Sequence, residues 1–296
     1  MTTRASLGVV SFSRADVVRF WRQAPASFRI GTAVLAFHIA VAITGPLWAP
    51  YGQADLFVGP ALAAPGWSHP FGTDVLGRDV FSRVVHGAHL VIVLSVLGTL
   101  IGVVVGTTIG LLSAYLRGWF DTLVMRLIET LISIPYLVLA LLAVAAAGPE
   151  YAGDPVLLVL VVGFVFSPRV ARMARAAGLD VVTRDFVTIA RLRGESPWSV
   201  VVRELLPNAT GTLLVEFALR TGYAPVLIGT LGFLGFGLRP PSPEWGLMIS
   251  EYRNLLLASP FVVLMPGLML ASLIIGLNMW TEGLARILGR SVRYDE

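Results

Sequence analysis

Six apolar stretches, each long enough to cross a bilayer, restrict this chain to folds whose solvent is lipid. They run Ile30 to Trp48, Leu90 to Leu116, Leu127 to Ala147, Pro155 into the region of Arg169, about Thr212 to Phe236, and Leu255 to Trp280. Hydrocarbon offers no water to unpaired backbone groups, so stretches of this length predict an all-α transmembrane fold. Composition agrees, since 56% of the 296 residues are hydrophobic and only 14% are charged, too apolar for a soluble domain. No small-x-small cleavage site closely follows the first stretch, which predicts a retained anchor rather than a cleaved leader.

Arginine placement orients the spans, because short cytoplasmic loops carry the excess of positive residues. Arg4, Arg14, Arg19, Arg22 and Arg29 precede the first span, Arg117 and Arg126 follow the second, and Arg169 to Arg203 crowd the connection between the fourth and fifth. Arg286, Arg290 and Arg293 close the chain. The opposite loops hold Arg78, Arg83, Arg239 and Arg253 among balancing carboxylates. Both termini are therefore predicted cytoplasmic. Arg169, Arg172 and Arg175 share one helical face and are expected to snorkel toward headgroups.

All 22 basic residues are Arg. Without Lys there is no phosphate-gripping P-loop, and without Cys no thiolate nucleophile or disulfide framework. No catalytic residue, no metal site and no cofactor held by this chain is expected.

One polar segment stands apart, Thr188 to Asn208, on the cytoplasmic side. Its chemistry predicts two short helices, the first from about Asp180 to Arg193 and ended by Gly194, which suits a left-handed C′ position. Ser196 then caps and Pro197 starts a second helix, expected to run to Leu206 and stop at Pro207. A solvated linker, a DNA-reading helix pair and a docking element for a cytoplasmic partner all fit such a segment, and tethering between spans weighs against nucleic acid.

The residues then carry a resemblance. Ala190, Gly194 and the run Leu205-Leu206-Pro207-Asn208 resemble the coupling loop of ATP-binding-cassette (ABC) importer permeases, although Thr188 and Ile189 replace the usual Glu and Ala. His69 to Arg83, with Phe71, Gly72, Thr73, Asp74, Leu76, Gly77, Arg78 and Asp79, is similar to a motif of one permease of dipeptide/oligopeptide importers. Leu231 to Gly237 with Pro240 to Gly246 resembles another stretch of the same subunit. The resemblance implies a six-helix type I importer permease in a bacterial plasma membrane. It also implies a second, related permease, two cytoplasmic ATPase domains that bind ATP and Mg, and an extracytoplasmic substrate-binding protein. The coupling residues would be Ala190, Gly194, Ser196, Pro197, Leu206, Pro207 and Asn208.

The organisation expected is a cytoplasmic segment 1–29, a first helix 30–50, an extracytoplasmic loop 51–86, a five-helix core 87–288 containing the coupling loop 180–208, and a cytoplasmic tail 289–296. Substrate could be a peptide, a glutathione-like molecule or a nickel chelate. An ion-coupled carrier is the other class, but it is expected to show internal repeats that this sequence lacks.

Within the spans, Gly98, Gly102, Gly106 and Gly110 form a stripe suited to helix packing. Gly229, Gly232, Gly235 and Gly237 suit a gate, a subunit seam, plain packing or helix termination. Polar residues inside spans are costly and so are candidates for the translocation path: Glu216 with Arg220 at i and i+4, Glu129 near Arg126, and Asn278. Glu216 and Arg220 read equally as a structural pair. Glu282 sits at headgroup level, and His38 suits packing. His86 and His89 with His69 and Asp74 form a conceivable metal set, while Asp74 and Asp79 beside Arg78 suit a salt-bridged loop.

Overall fold

The computed structural model describes residue 21 and residues 23–291, the side chains of 288–291 excepted. Arg4, Arg14, Arg19, Arg22, Arg293 and the side chain of Arg290 lie outside the described residues. The backbone is helical nearly throughout: α1 (Ala26–Trp48), α2 (Val80–Leu116), α3 (Gly118–Ser133), α4 (Tyr136–Ala147), α5 (Pro155–Val182), α6 (Asp185–Leu192), α7 (Pro197–Val200), α8 (Leu206–Phe233), α9 (Trp245–Tyr252) and α10 (Phe261–Ser291).

Four helices, α1, α2, α5 and α10, are long and apolar enough to span a membrane, and α3 with α4 makes a fifth if the bent pair counts as one. The sixth expected span is α8. At 28 residues it is long enough, but it carries Glu216 and Arg220 and falls short in apolarity.

The third span differs from expectation, because α3 and α4 meet at 101° rather than forming one rod. The cause is local. Pro135 disfavours helical geometry in the residue before it, and Ile134 is extended at φ −78°, ψ 129°. The expected cytoplasmic pair also differs at both ends. Helix α5 continues past the arginines to Val182, so the first short helix begins at Asp185, not Asp180.

The second helix does not stop at Pro207 either. A π-turn over Val201–Leu205, in which the Leu206 amide donates to the Val201 carbonyl, joins α7 to α8. Widening the ladder by one residue takes up Pro207, which has no N–H to give. The result is one continuous rod from Pro197 to Phe233.

Helix α2 and α5 form the seam around which the others pack. An added Cβ at Gly98 would lie 2.7 Å from Val162, at Gly102 2.9 Å from the Gly163 carbonyl, at Gly106 2.6 Å from the Ser167 carbonyl and at Gly110 2.3 Å from the Ala171 carbonyl. The stripe thus admits the α5 backbone over four successive positions. Around the seam sit Leu94, Leu158, Val162, Phe166 and Ile228; below it Leu111, Ala174, Val200 and Leu205; beside α9 and α10, Val84, Trp245, Met248 and Leu273. Helix α1 lies on α10, where His38 bridges the Met269 carbonyl (3.2 Å) and its own Val34 carbonyl (2.9 Å).

Replacing Gly106 by Leu should cost about 3 kcal/mol or more, because the added atoms meet the Ser167 carbonyl and the Cβ of β-branched Val170, neither of which can swing aside. Membrane abundance and detergent melting temperature should both fall, whereas Gly211→Ala, with open space around its Cβ, should lower neither.

Candidate functional site: a coupling element, a charged cavity and an outer clasp

Chemistry-bearing residues gather in three places. The first is α6–α7. Helix α6 ends in a left-handed glycine, Gly194 at φ +74°. Its amide donates to the Arg191 carbonyl (3.0 Å) and that of Glu195 to the Ala190 carbonyl (3.2 Å), the doubled bond of a Schellman cap. Open space surrounds the Gly194 Cβ position, so backbone conformation, not crowding, demands glycine here. Ser196 Oγ accepts from the Ser199 amide (3.2 Å) and Pro197 opens α7.

One face of this pair is anchored: Val187, Ala190, Val200 and Leu205 are fully buried against α2, α5 and α8. The other face is free, with Leu192 83% exposed, Trp198 57% and Ile189 53%. Arg191 lies over the Tyr115 ring, 4.5 Å from its centroid. Of the expected coupling residues, Gly194, Ser196, Pro197, Pro207 and Asn208 are exposed, Leu206 is half-buried, and Ala190 points inward as part of the anchor.

The second place is a pair of cavities along α5. One, of about 400 Å³, is lined by Tyr136, Phe166, Arg169, Arg172, Leu219, Arg220 and Tyr223. The other, of about 510 Å³, is lined by Asp121, Thr122, Met125, Arg126, Ile128, Glu129, Arg172 and Arg175. Arg175 is held by Asp121 through two bonds of 2.6 and 2.5 Å. Arg220 donates from Nε to Glu216 Oε1 at 2.7 Å. Glu216 is 4% exposed. Three of the arginines expected to snorkel are thus turned to protein cavities. The expected Glu129–Arg126 pairing is not formed; Glu129 makes no ion pair among the described residues. Asn278 stays on α10, bonded to the Ile274 carbonyl (2.9 Å) and facing Gly222 of α8.

The third place is an outer clasp. Asp74 is completely buried. Its Oδ1 accepts from the amides of Leu76 (2.8 Å) and Arg78 (3.0 Å), and its Oδ2 from Arg78 Nε (2.6 Å), Arg83 Nη1 (2.9 Å) and the Tyr252 hydroxyl (2.8 Å). Burial alone would raise the Asp74 carboxyl, but the hydrogen bonds from the Arg78 backbone, Tyr252 and the Arg78 side chain outweigh it and hold the group below its ordinary range. Asp79 caps α2 by accepting from the Ser82 amide and hydroxyl, both 2.7 Å, and pairs with His69 (2.9 Å). Within the motif Thr73 is buried as well, Gly72 and Gly77 take positive φ, and Phe71 packs on Phe81 while Leu76 faces outward.

No group of three or more metal-binding side chains occurs among the described residues. His69 is taken by Asp79, and His86 Nδ1 lies 2.7 Å from the Ser82 carbonyl.

Tyr252 and Glu244 belong to this clasp; Tyr252 was missed in the sequence, and Glu244 was read only as part of the Pro240 to Gly246 stretch. Tyr252 lies 178 residues from Asp74, and nothing local marks it. Glu244 had a signal, an acidic residue just before an apolar helix. It caps α9 through the amides of Gly246 (2.8 Å) and Leu247 (2.7 Å), and its carboxylate fills the space beside Gly232 of α8. Gly229 and Gly232 therefore form a packing surface for α9, since Gly246 sits directly on the Gly229 backbone, whereas Gly235, at φ +83° with open space around it, ends α8. Burial pushes the Glu244 carboxyl up to about 7 against the pull of those two amides.

An all-helical membrane chain with an anchored, outward-facing helical pair on its rod and no nucleotide-binding loop has the design of a transport permease moved by a partner. Residues 106–294 match the family described as binding-protein-dependent transport system inner membrane component, and the chain belongs to that family. It is thus a multi-pass permease of the type I ABC importer fold, not an ion-coupled carrier. It is 33% identical to the glutathione transport system permease protein GsiD of Escherichia coli, with 98% of this chain and 97% of that protein covered. It is 30% identical to the dipeptide transport system permease protein DppC of Alkalihalophilus pseudofirmus, over 86% of this chain and 83% of that one. For the DppC of Haemophilus influenzae the identity is 31%, over 86% and 87%.

Two predictions test these environments. Glu216→Gln leaves Arg220 without its charge partner and should cost roughly 3 kcal/mol, read as a fall in folded protein extracted from the membrane. Glu244, raised when folded, binds more protons in the native than in the unfolded state between pH 4.5 and about 7. Its contribution to stability is therefore full below 4.5 and lost as pH rises to about 7, of order 3 kcal/mol. Melting temperature should decline less over that window in Glu244→Gln than in the wild type.

Proposed function

We propose that this chain, a permease subunit of a peptide-type ABC importer, forms half of the passage for small peptides or glutathione. A second, related permease supplies the other half, two cytoplasmic ATPase domains engage the 180–208 segment, and an extracytoplasmic binding protein delivers substrate. Both termini face the cytoplasm in this reading, in line with the arginine bias. ATP and Mg are held by the ATPases; this chain does no chemistry.

The observation that carries the reading is mechanical. The exposed Leu192 and Trp198 sit on a helical pair whose inner face is fully buried and whose second member runs without a break into α8. A rod of 37 residues, Pro197 to Phe233, is ~55 Å long at 1.5 Å per residue. Movement of an ATPase against Trp198 is therefore delivered to Glu216 and Arg220, partway along the rod, rather than absorbed in a loop. The names of the relatives, glutathione and dipeptide permeases, support the substrate class.

Tagging the protein at its native level, extracting it in mild detergent and identifying co-purifying chains by mass spectrometry tests the assembly. A second permease, an ATPase with a P-loop and a binding protein are expected; recovery of this chain alone, under extraction that preserves other membrane complexes, would overturn the reading. Within the assembled complex, Gly194→Val forces a β-branched residue to positive φ at a cost above about 1 kcal/mol. It should lower substrate uptake more than ATP hydrolysis; equal uptake at equal expression would refute the coupling role of Gly194.

A further inference from the structure

The two cavities on α5 hold a charge imbalance that the protein does not resolve by itself. Counting the residues that line them and Glu216 behind Arg220, five guanidiniums (Arg126, Arg169, Arg172, Arg175, Arg220) face three carboxylates (Asp121, Glu129, Glu216). Arg175 and Arg220 have their carboxylates at hydrogen-bonding distance. Among the described residues, Arg169 and Arg172 have none, and Arg169 instead lies within electrostatic reach of the like charges of Arg172 and Arg220.

Depth makes this arrangement costly. Arg169 is 14 residues from Pro155, ~21 Å along α5. With Pro155 at one edge of a hydrocarbon core about 30 Å thick, the Arg169 Cα falls in the far third of that core and Arg172, ~4.5 Å further on, near its other edge. Unpaired arginines at that level are retained where they face water or an anion, not lipid tails. The remainder of the lining suits a small organic anion. Tyr136, placed at the elbow where α4 leaves α3, and Tyr223 on α8 bring phenol groups to the same 400 Å³ space, and Phe166 and Leu219 give it apolar walls.

The geometry points to a carboxylate-binding subsite at Arg169 and Arg172, with Tyr136 and Tyr223 beside it, that holds the carboxylate end of the peptide partway through the membrane. This rests on the reading of the chain as a peptide-type permease and adds a place and an orientation to it. A guanidinium grips a carboxylate through two parallel bonds, and the unpaired positive charges of Arg169 and Arg172 keep a peptide ammonium away from this end. Glu129, the lining carboxylate that makes no ion pair among the described residues, stands in the adjoining cavity across Arg172. Because Arg220 rides on the rod that starts at Pro197, the subsite is remade when the rod moves, so release of the carboxylate is tied to the coupling element.

The test uses the complete importer in liposomes, with ATP enclosed and loaded binding protein outside. Three versions are compared: wild type, Arg169→Gln with Arg172→Gln, and Arg169→Lys with Arg172→Lys. The probes are dialanine and glutathione, with the C-terminal amide of dialanine as the control that lacks the carboxylate but keeps the ammonium. Removal of two unpaired cations should leave the yield of complex unchanged. Loss of charge-assisted hydrogen bonds should lower turnover of the free acids by about tenfold to a hundredfold in the Gln pair. The Lys pair, which keeps the charge but not the two-pronged geometry, should recover only part of it, and the amide should move at similar rates in wild type and the Gln pair.

Free-acid turnover in the Gln pair within about twofold of wild type overturns the inference alone, whereas wild-type complex that moves neither probe overturns the functional reading with it. A defect that appears only in vesicles containing phosphatidylglycerol assigns the arginines to lipid headgroups and also overturns the subsite. So does loss of the second permease from purified Gln-pair complex, which would place a carboxylate of that partner in the cavity.

Discussion

The close approach of α2 and α5 is the contact on which the rest of the structure depends. Between helices in lipid there is no hydrophobic gain from meeting, so association relies on packing, and packing is densest where the side chain is absent. Gly98, Gly102, Gly106 and Gly110 provide that absence along one face, with Gly163 and Gly178 returning it from α5. Once α5 lies there, its arginine-bearing side is turned toward α3, α4 and α8, and its lower end toward the core that anchors α6 and α7. The positions of both cavities and of the α6–α7 pair follow from this glycine-lined seam.

Most of the helical plan was legible because hydrocarbon imposes it: apolar length and arginine placement are local, additive signals. So was the cap chemistry of Gly194 and Ser196, where a turn conformation selects its residue within a few positions. What failed to read depends on competition between local rules and distant contacts. Pro207 reads as a stop, yet the helix passes it by widening one turn, because Val200, Val201 and Leu205 on one side and Ala209 on the other are held in the same buried cluster. Pro135 lies in an apolar run that looks continuous, and its effect on Ile134 shows only as a bend. Tyr252 closes on Asp74 from 178 residues away, a pairing no window on the sequence contains.

The charged groups divide into two populations. Those of the outer clasp are satisfied almost atom by atom: Asp74 receives five hydrogen bonds and Asp79 three contacts, and among the fully buried atoms of these side chains only Arg83 Nε lacks a partner. Those along α5 are left partly open on an apolar spanning helix, where an open charge is expensive. A satisfied network stiffens; an incomplete one waits for a visiting charge. The same residue type, arginine, serves both purposes, with paired carboxylates marking the difference.

The outer clasp also bears on how the passage opens. Asp74, Arg78 and Arg83 join the residues before α2 to Tyr252, Trp245 of α9 donates to the Val84 carbonyl of α2 (3.0 Å), and Glu244 sets α9 against Gly232 of α8. The motif loop, the outer turns of α2 and α8, and α9 are thus fastened into a single block. Any parting of this end of the molecule must run along the borders of the block, which in the proposed assembly face the second permease, since no fault line passes through it.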